Sequence, residues 1–185
     1  MKKHFAAMIL YSFISLLLIT SAKAAESITI YVDDGNADYL VEVIVTGEKD
    51  AGNLVMLLEE HQMVPEGTKV NSFEIVQAHK KEVGKLDLSS EFGKAVTETG
   101  TAGETMYIYS VVNTMITNFK LDEIFLTVDG EVISTGHTIY DTSLSFYDHI
   151  IKAVDWNVKD ISRLNSVGDV LKVGRMRNAI AILYD

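Results

Sequence analysis

Residues 101–133 read TAGETMYIYSVVNTMITNFKLDEIFLTVDGEVI and hold a helix, a strand and a tight turn in one run. Met106, Tyr109, Val112, Ile116 and Phe119 recur at the spacing of one helical face, and Ile108, Val111 and Met115 broaden it. This pattern predicts the best-buried element of the chain. Thr101 and Glu104 have the form of a capping box, in which each side chain serves a backbone amide at the helix start. Ile124, Leu126 and Val128 then alternate as a strand does, and Asp129-Gly130 before Glu131-Val132-Ile133 is a strong hairpin signal.

Toward the N-terminus, Ser27–Asp33 alternates with Ile28, Ile30 and Val32 on one side, Asp33-Asp34-Gly35-Asn36 is turn chemistry, and Tyr39–Thr46 resumes an extended pattern. From Ala51 to about Gln62 the spacing of Leu54, Leu57 and Leu58 predicts a helix, which Val64-Pro65-Glu66-Gly67 stops. Val70–His79 and Val83–Leu88 read as a hairpin joined by Lys80-Lys81-Glu82, and Thr97–Thr101 as a loop. The expected order is β-β-α-β-β-α-β-β, an α/β (α+β) domain. Beyond it, Tyr147, Ile151, Val154, Val158 and Ile161 form a seam compatible with one amphipathic helix from about Asp148 to Leu164, ahead of a basic cluster (Lys172, Arg175, Arg177) and an apolar terminus that could form a strand.

The chain has 185 residues, 48% apolar and 23% charged, with one proline, which places it among globular domains. Its 16 basic and 26 acidic side chains give a net charge of −10, a field that repels phosphate backbones, so nucleic acid is not an expected partner. The absence of cysteine excludes a disulfide framework, a thiolate metal site, a cysteine nucleophile and a lipid-modified N-terminal cysteine within this sequence. Met1–Lys3 is basic, Phe5–Ile19 apolar, and Ala22-Lys23-Ala24 small at both ends, the order of a secretory signal peptide with cleavage expected after Ala24. Losing residues 1–24 removes three lysines and no acid, leaving 13 basic against 26 acidic groups and a net charge of −13. The expected organisation is a signal peptide over 1–24, a domain over 25–147 and an extension over 148–185, acting outside the cytoplasmic membrane.

Six pieces of the chain resemble, in order, the GerMN domain of sporulation and spore-germination proteins in the bacterial envelope. They are Ile28-Thr29-Ile30-Tyr31, the helix with Leu54 to Leu58, Val64 to Val70, Lys85 to Phe92, Gly103-Glu104 with Val111 to Met115 and Phe119, and Leu126 to Glu131. The resemblance covers about residues 27–146. It implies two helices against one mixed sheet, similar to ring-building modules, and a scaffold or interaction role with no catalytic residues to carry over. Two departures stand out: lipid-anchored members carry a cysteine after the signal peptide and some hold two copies of the domain, whereas this chain has no cysteine and one copy.

The chemistry-bearing residues read as structural. Asp87, between Leu86 and Leu88, could be a catalytic acid, but alternation puts it opposite the leucines as a solvent-facing or locally bonded aspartate, whose loss should change stability by at most about 1 kcal/mol. Ser89 and Ser90 before Glu91-Phe92 resemble a helix N-cap. Asp34-x-Asn36-x-Asp38 begins like a calcium loop, yet Tyr39 stands where glycine is needed and Val45 where a bidentate glutamate is needed. His61, His79, His137 and His149 are scattered without metal spacing, and Gly100-Thr101-Ala102-Gly103 lacks the lysine of a phosphate loop. Val111-Val112 and Met115-Ile116 are core more readily than partner groove. No catalytic, cofactor-binding or metal residue and no cofactor is assigned. The leading expectation is a non-enzymatic envelope module that binds another protein or its own copies, with a cell-wall polymer as a further candidate partner. The alternatives are a peptidoglycan-acting enzyme using two carboxylates, or a glycan-binding accessory domain if Tyr31, Tyr39 and Tyr107 share a face.

Overall fold

The computed structural model describes residues 26–151. Strand β1 (Glu26–Asp33) pairs antiparallel with β2 (Leu40–Gly47), from Glu26 opposite Gly47 to Asp33 opposite Leu40. Ile28, Ile30 and Val32 face the core beside Val45, Val43 and Val41. Helix α1 (Ala51–Glu60) starts at Asp50, whose carboxylate accepts the Asn53 amide at 3.0 Å, and buries Leu54, Val55, Leu57 and Leu58.

Strands β3 (Val70–Ala78) and β4 (Lys81–Leu88) form the expected hairpin with a tighter loop than expected. His79 and Lys80 both take left-handed φ, 53° and 67°, so two residues reverse the chain and Lys81 and Glu82 join the strand. A helix the periodicity did not reveal, α2 (Ser90–Glu98), occupies the segment before Thr99. Its buried apolar face consists of Phe92 and Val96 alone, too short a pattern to stand out, although the Ser89 cap before it is where the sequence placed one. Helix α3 (Thr101–Phe119) is buried almost all round and ends at Lys120 in the left-handed conformation. Strand β5 (Glu123–Val128) then returns parallel to β4, Val83 opposite Glu123 through Leu88 opposite Val128. The Asp129-Gly130 turn, with φ of 49° and 80°, leads into β6 (Glu131–Ser134) as the sequence indicates. Three two-residue strands follow: β7 (Ile139–Tyr140) on β6, β8 (Leu144–Ser145) on β5, and β9 (Ile150–Ile151) parallel to β2.

The mixed α/β class stands, with three helices among the described residues and the strands divided into two sheets, β1-β2-β9 and a six-stranded sheet ordered β3-β4-β5-β6-β7 with β8 on β5. The division has a cause in α3. Its Ser110, Thr114 and Asn118, one turn apart, take the outer edge of β1 in place of another strand. Asn118 accepts from the Thr29 amide at 3.2 Å and donates to the Thr29 carbonyl at 2.6 Å, Thr114 accepts from the Tyr31 amide at 3.1 Å, and Ser110 donates to the Tyr31 carbonyl. One core cluster joins both sheets and all three helices through residues such as Ile30, Leu58, Leu88, Phe92, Ile108 and Leu126.

Two further expectations change. Glu104 is no capping partner: Gly100 holds the cap position without a side-chain bond, and Glu104 is buried, accepting the Tyr140 hydroxyl at 2.7 Å. Burial of Tyr140 comes first, and the Glu104 carboxyl second, in raising the phenol far above its ordinary range. The helix expected from Asp148 does not begin there, because Ile150 and Ile151 are extended against Leu40 and Val41. The remainder of that helix, the basic cluster, the apolar terminus and the signal peptide lie outside the described residues.

Candidate interaction groove

The β1–β2 turn and the ends of two helices border a continuous groove. Asp33 and Asp34 close the turn by accepting backbone amides, Asp33 from Ala37 at 2.9 Å and Asp34 from Asn36 and Asp38 at 3.0 and 3.3 Å. Burial raises the Asp33 carboxyl above the usual carboxylate range, more than the Ala37 amide lowers it, and the neighbouring Asp34 adds to the rise. The Asp33 amide points to the Met63 sulfur at 2.9 Å, which ties the turn to the chain leaving α1. Between them lies a cleft of about 320 Å³ lined by Asp33, His61, Gln62, Met63, Thr99 and Tyr107. His61 is half-buried, and that burial lowers its imidazole, so it is neutral at pH 7.

Gln62 and Tyr107 also line a second, larger depression of about 600 Å³, whose other walls are Met56, Glu59, Glu60, Val64, Pro65 and Glu66. Its lining combines apolar side chains with three glutamates. Met56 is 49% exposed, a large apolar side chain in water on the face of α1 opposite Leu54 and Leu58. Glu59 accepts the Gly67 amide at 3.2 Å and so holds the Pro65–Gly67 turn as one wall, while Glu60 and Glu66 stand exposed. The sequence reading passed over Met56 and took Tyr107 only as one of three tyrosines that could share a face. Their signal was present, since Met56 falls between buried residues of α1 and Tyr107 between Met106 and Ile108 of α3, each off the buried stripe.

The residues singled out in the sequence lie elsewhere or serve the fold. Asp87 accepts from Thr127 at 2.7 Å, from the Gly130 amide at 2.8 Å and from Asn71 at 3.0 Å, clasping β3, β5 and the β5–β6 turn. Burial opposes its charge, and these three donors outweigh burial, so its carboxyl lies below the usual range. This is the locally bonded aspartate of the sequence reading, and its three acceptor bonds raise the cost expected of its replacement. The Ser89 hydroxyl accepts the Lys69 amide at 2.9 Å, and Ser90 opens α2. Asp34 is turned inward at 2% exposure with Asn36 exposed, so the calcium-like spacing produces an Asp-centred turn, and among the described residues no three histidine, aspartate or glutamate groups converge as metal ligands. His79 sits in the β3–β4 loop and His137 in the β6–β7 loop, whereas His149 stacks between Tyr147 and Tyr39 at centroid distances of 5.6 and 5.7 Å. Tyr31, Tyr39 and Tyr107 do not share a face: Tyr31 is buried against Thr117 and Phe146, Tyr39 stacks on His149, and Tyr107 lines the groove. Val111, Val112, Met115 and Ile116 are core. Among the described residues no helix is long and apolar enough to cross a membrane.

Comparison with solved structures finds a Clostridium perfringens protein described as a lipoprotein, 15% identical over 69% of this chain and 92% of that one, with a TM-score of 0.43. The tandem GerMN domains of the Bacillus subtilis sporulation protein GerM align at 19% identity over 66% of this chain and 46% of that one, TM-score 0.48. The first GerMN domain of the same protein aligns at 18% identity over 66% of this chain and 98% of that one, TM-score 0.45. Comparison with curated proteins gives no match. A family match spans residues 20–134, more than half of the chain and every element from β1 to β6, and by it the chain belongs to the Germane family, described as sporulation and spore germination.

Proposed function

We propose that this protein is a non-enzymatic interaction module of the cell envelope, serving sporulation or germination by docking a partner protein in the groove between α1 and α3. The observation that carries the reading is Met56, 49% exposed in a depression that it lines together with Tyr107, Val64 and Pro65 and with Glu59, Glu60 and Glu66. A flexible thioether and a tyrosine are side chains that partners bury at interface centres, and surrounding carboxylates select and steer a segment carrying Lys or Arg. His61, whose imidazole burial lowers, adds little charge to the adjoining cleft, which lowers the cost of covering it.

Affinity capture from the native envelope fraction with the mature protein tests this. One specific protein should be retained at low salt, weakened at high salt, and lost with Met56→Glu or with Glu60→Lys/Glu66→Lys, while far-UV circular dichroism stays unchanged. Equal capture by wild type and all variants would refute the groove. The same reading includes export through a signal peptide cut after Ala24, so intact mass of the protein recovered outside the cytoplasm should begin at Ala25 and carry no acyl group.

A further inference from the structure

The segment from Leu144 to Ile150 is a strap that joins the two sheets, since its β8 end lies on β5 of the larger sheet and its β9 end on β2 of the smaller one. Between these two-residue strands a helix side chain stands in for a neighbouring strand. Asn113 of α3 accepts the Tyr147 amide and donates to the Tyr147 carbonyl, both at 2.8 Å, and Leu40 donates its amide to the His149 carbonyl at 3.1 Å. Main-chain bonds of this kind hold an extended segment, and side-chain contacts select which one. Tyr147 stacks on Tyr109 with centroids 4.7 Å apart, His149 lies between Tyr147 and Tyr39, and Phe146 meets Tyr31 edge to face at 5.6 Å. Underneath, Tyr31, Leu40 and Met106 form a small buried cluster apart from the main core, and Tyr147 and Ile150 pack on it. Leu144 is the strap residue that packs on the main core.

Asn113 is 0% exposed beneath the strap, and both ends of its amide serve the backbone of one residue. A buried amide without partners is costly, so this slot requires an extended main chain in it. Ser145, Asp148 and His149 stay exposed, so the strap lies in the slot as a peptide lies on a surface. We propose that the strap is an exchangeable internal ligand and that its slot takes the same segment from a second copy of this chain. A second copy offers Phe146, Tyr147, His149 and Ile150 at the same spacing, so contacts given up within one chain are regained between two, and reciprocal exchange closes as a two-fold dimer. The exposed Asp141 and Thr142 ahead of β8 give the strap a point at which to turn away. Tethering favours the closed monomer in dilute solution, and exchange gains as copies are brought together. This inference does not rest on the groove between α1 and α3.

Two variants of the full-length mature protein separate strap from slot. Tyr147→Ser/Ile150→Ser removes the anchors of the strap and leaves the slot, whereas Asn113→Leu disables the slot and leaves the strap. Each should keep its far-UV circular dichroism and stay monomeric in light scattering, and an equimolar mixture should form a dimer containing one of each. A synthetic peptide of residues 143–151 should bind the strap-deficient variant and bind wild type about tenfold or more weakly, because the tethered strap competes at roughly millimolar effective concentration. Adding Asn113→Leu to the strap-deficient variant should abolish peptide binding. A mixture that stays monomeric, a peptide that binds none of these proteins or all of them equally, or unfolding of either variant, which would make the strap an inseparable part of the core, would overturn the proposal.

Discussion

Replacing Asn118 with alanine tests the helix-to-strand ladder that divides the sheets. Asn118 is 5% exposed and makes three hydrogen bonds, donating at 2.6 Å to the Thr29 carbonyl and at 2.8 Å to the Thr114 carbonyl, and accepting at 3.2 Å from the Thr29 amide. Truncation leaves both Thr29 backbone groups without a protein partner on that side. Each net hydrogen bond contributes about 1 kcal/mol, and a buried group left unpaired costs about 1 to 3 kcal/mol. Thr29 is half-buried, so water relieves part of this, and the sum comes to about 3 kcal/mol. In urea, where small domains lose roughly 1 to 3 kcal/mol per molar, the midpoint followed by far-UV circular dichroism should fall by about 1 to 3 M with the slope unchanged. Asn118→Leu keeps the volume but cannot bond Thr29, and it should be as unstable as the alanine variant. A loss below about 1 kcal/mol, or full stability with leucine, would refute the idea that side-chain bonding at the β1 edge holds α3 in place.

Other perturbations probe separate parts of the same architecture. Asp87→Ala should cost about 2 kcal/mol at pH 7 through three lost acceptor bonds at a partly exposed site. Because the folded carboxyl lies below its unfolded value, this contribution is complete above the unfolded pKa, about 3.9, and is lost as pH falls through the folded one, so wild type and variant should converge in acid denaturation. Val112→Ala, at a fully buried site on α3, should destabilise by about 2 kcal/mol in thermal or urea unfolding through lost contacts and a residual cavity. Tyr140→Phe should cost roughly 1 to 3 kcal/mol by stranding the buried Glu104, whose other carboxylate oxygen has no hydrogen-bond partner among the described residues, and Glu104→Leu on that background should recover part of the loss in the same assay.

The sequence alone determines the elements whose burial pattern repeats along the chain. Ile28, Ile30 and Val32, the stripe of α1, the long apolar face of α3 and the Asp129-Gly130 turn are each set by neighbours within a few residues, so period and turn chemistry reveal them before any folding is known. The family resemblance rests on the same local pieces, in order. What only the tertiary structure decided depends on partners far away in the chain. Asn118 and Thr29 stand 89 residues apart and Glu104 and Tyr140 stand 36 apart, so a glutamate with capping spacing becomes a buried acceptor, and a polar stripe on a helix becomes the edge of a sheet. The groove has the same origin, since Met56, Glu66 and Tyr107 come from three segments, and their chemistry is shared only after α1 and α3 have docked. Local periodicity records which face of an element avoids water. It does not record which distant group will meet the other face, because that is fixed by the packing of complete elements against one another.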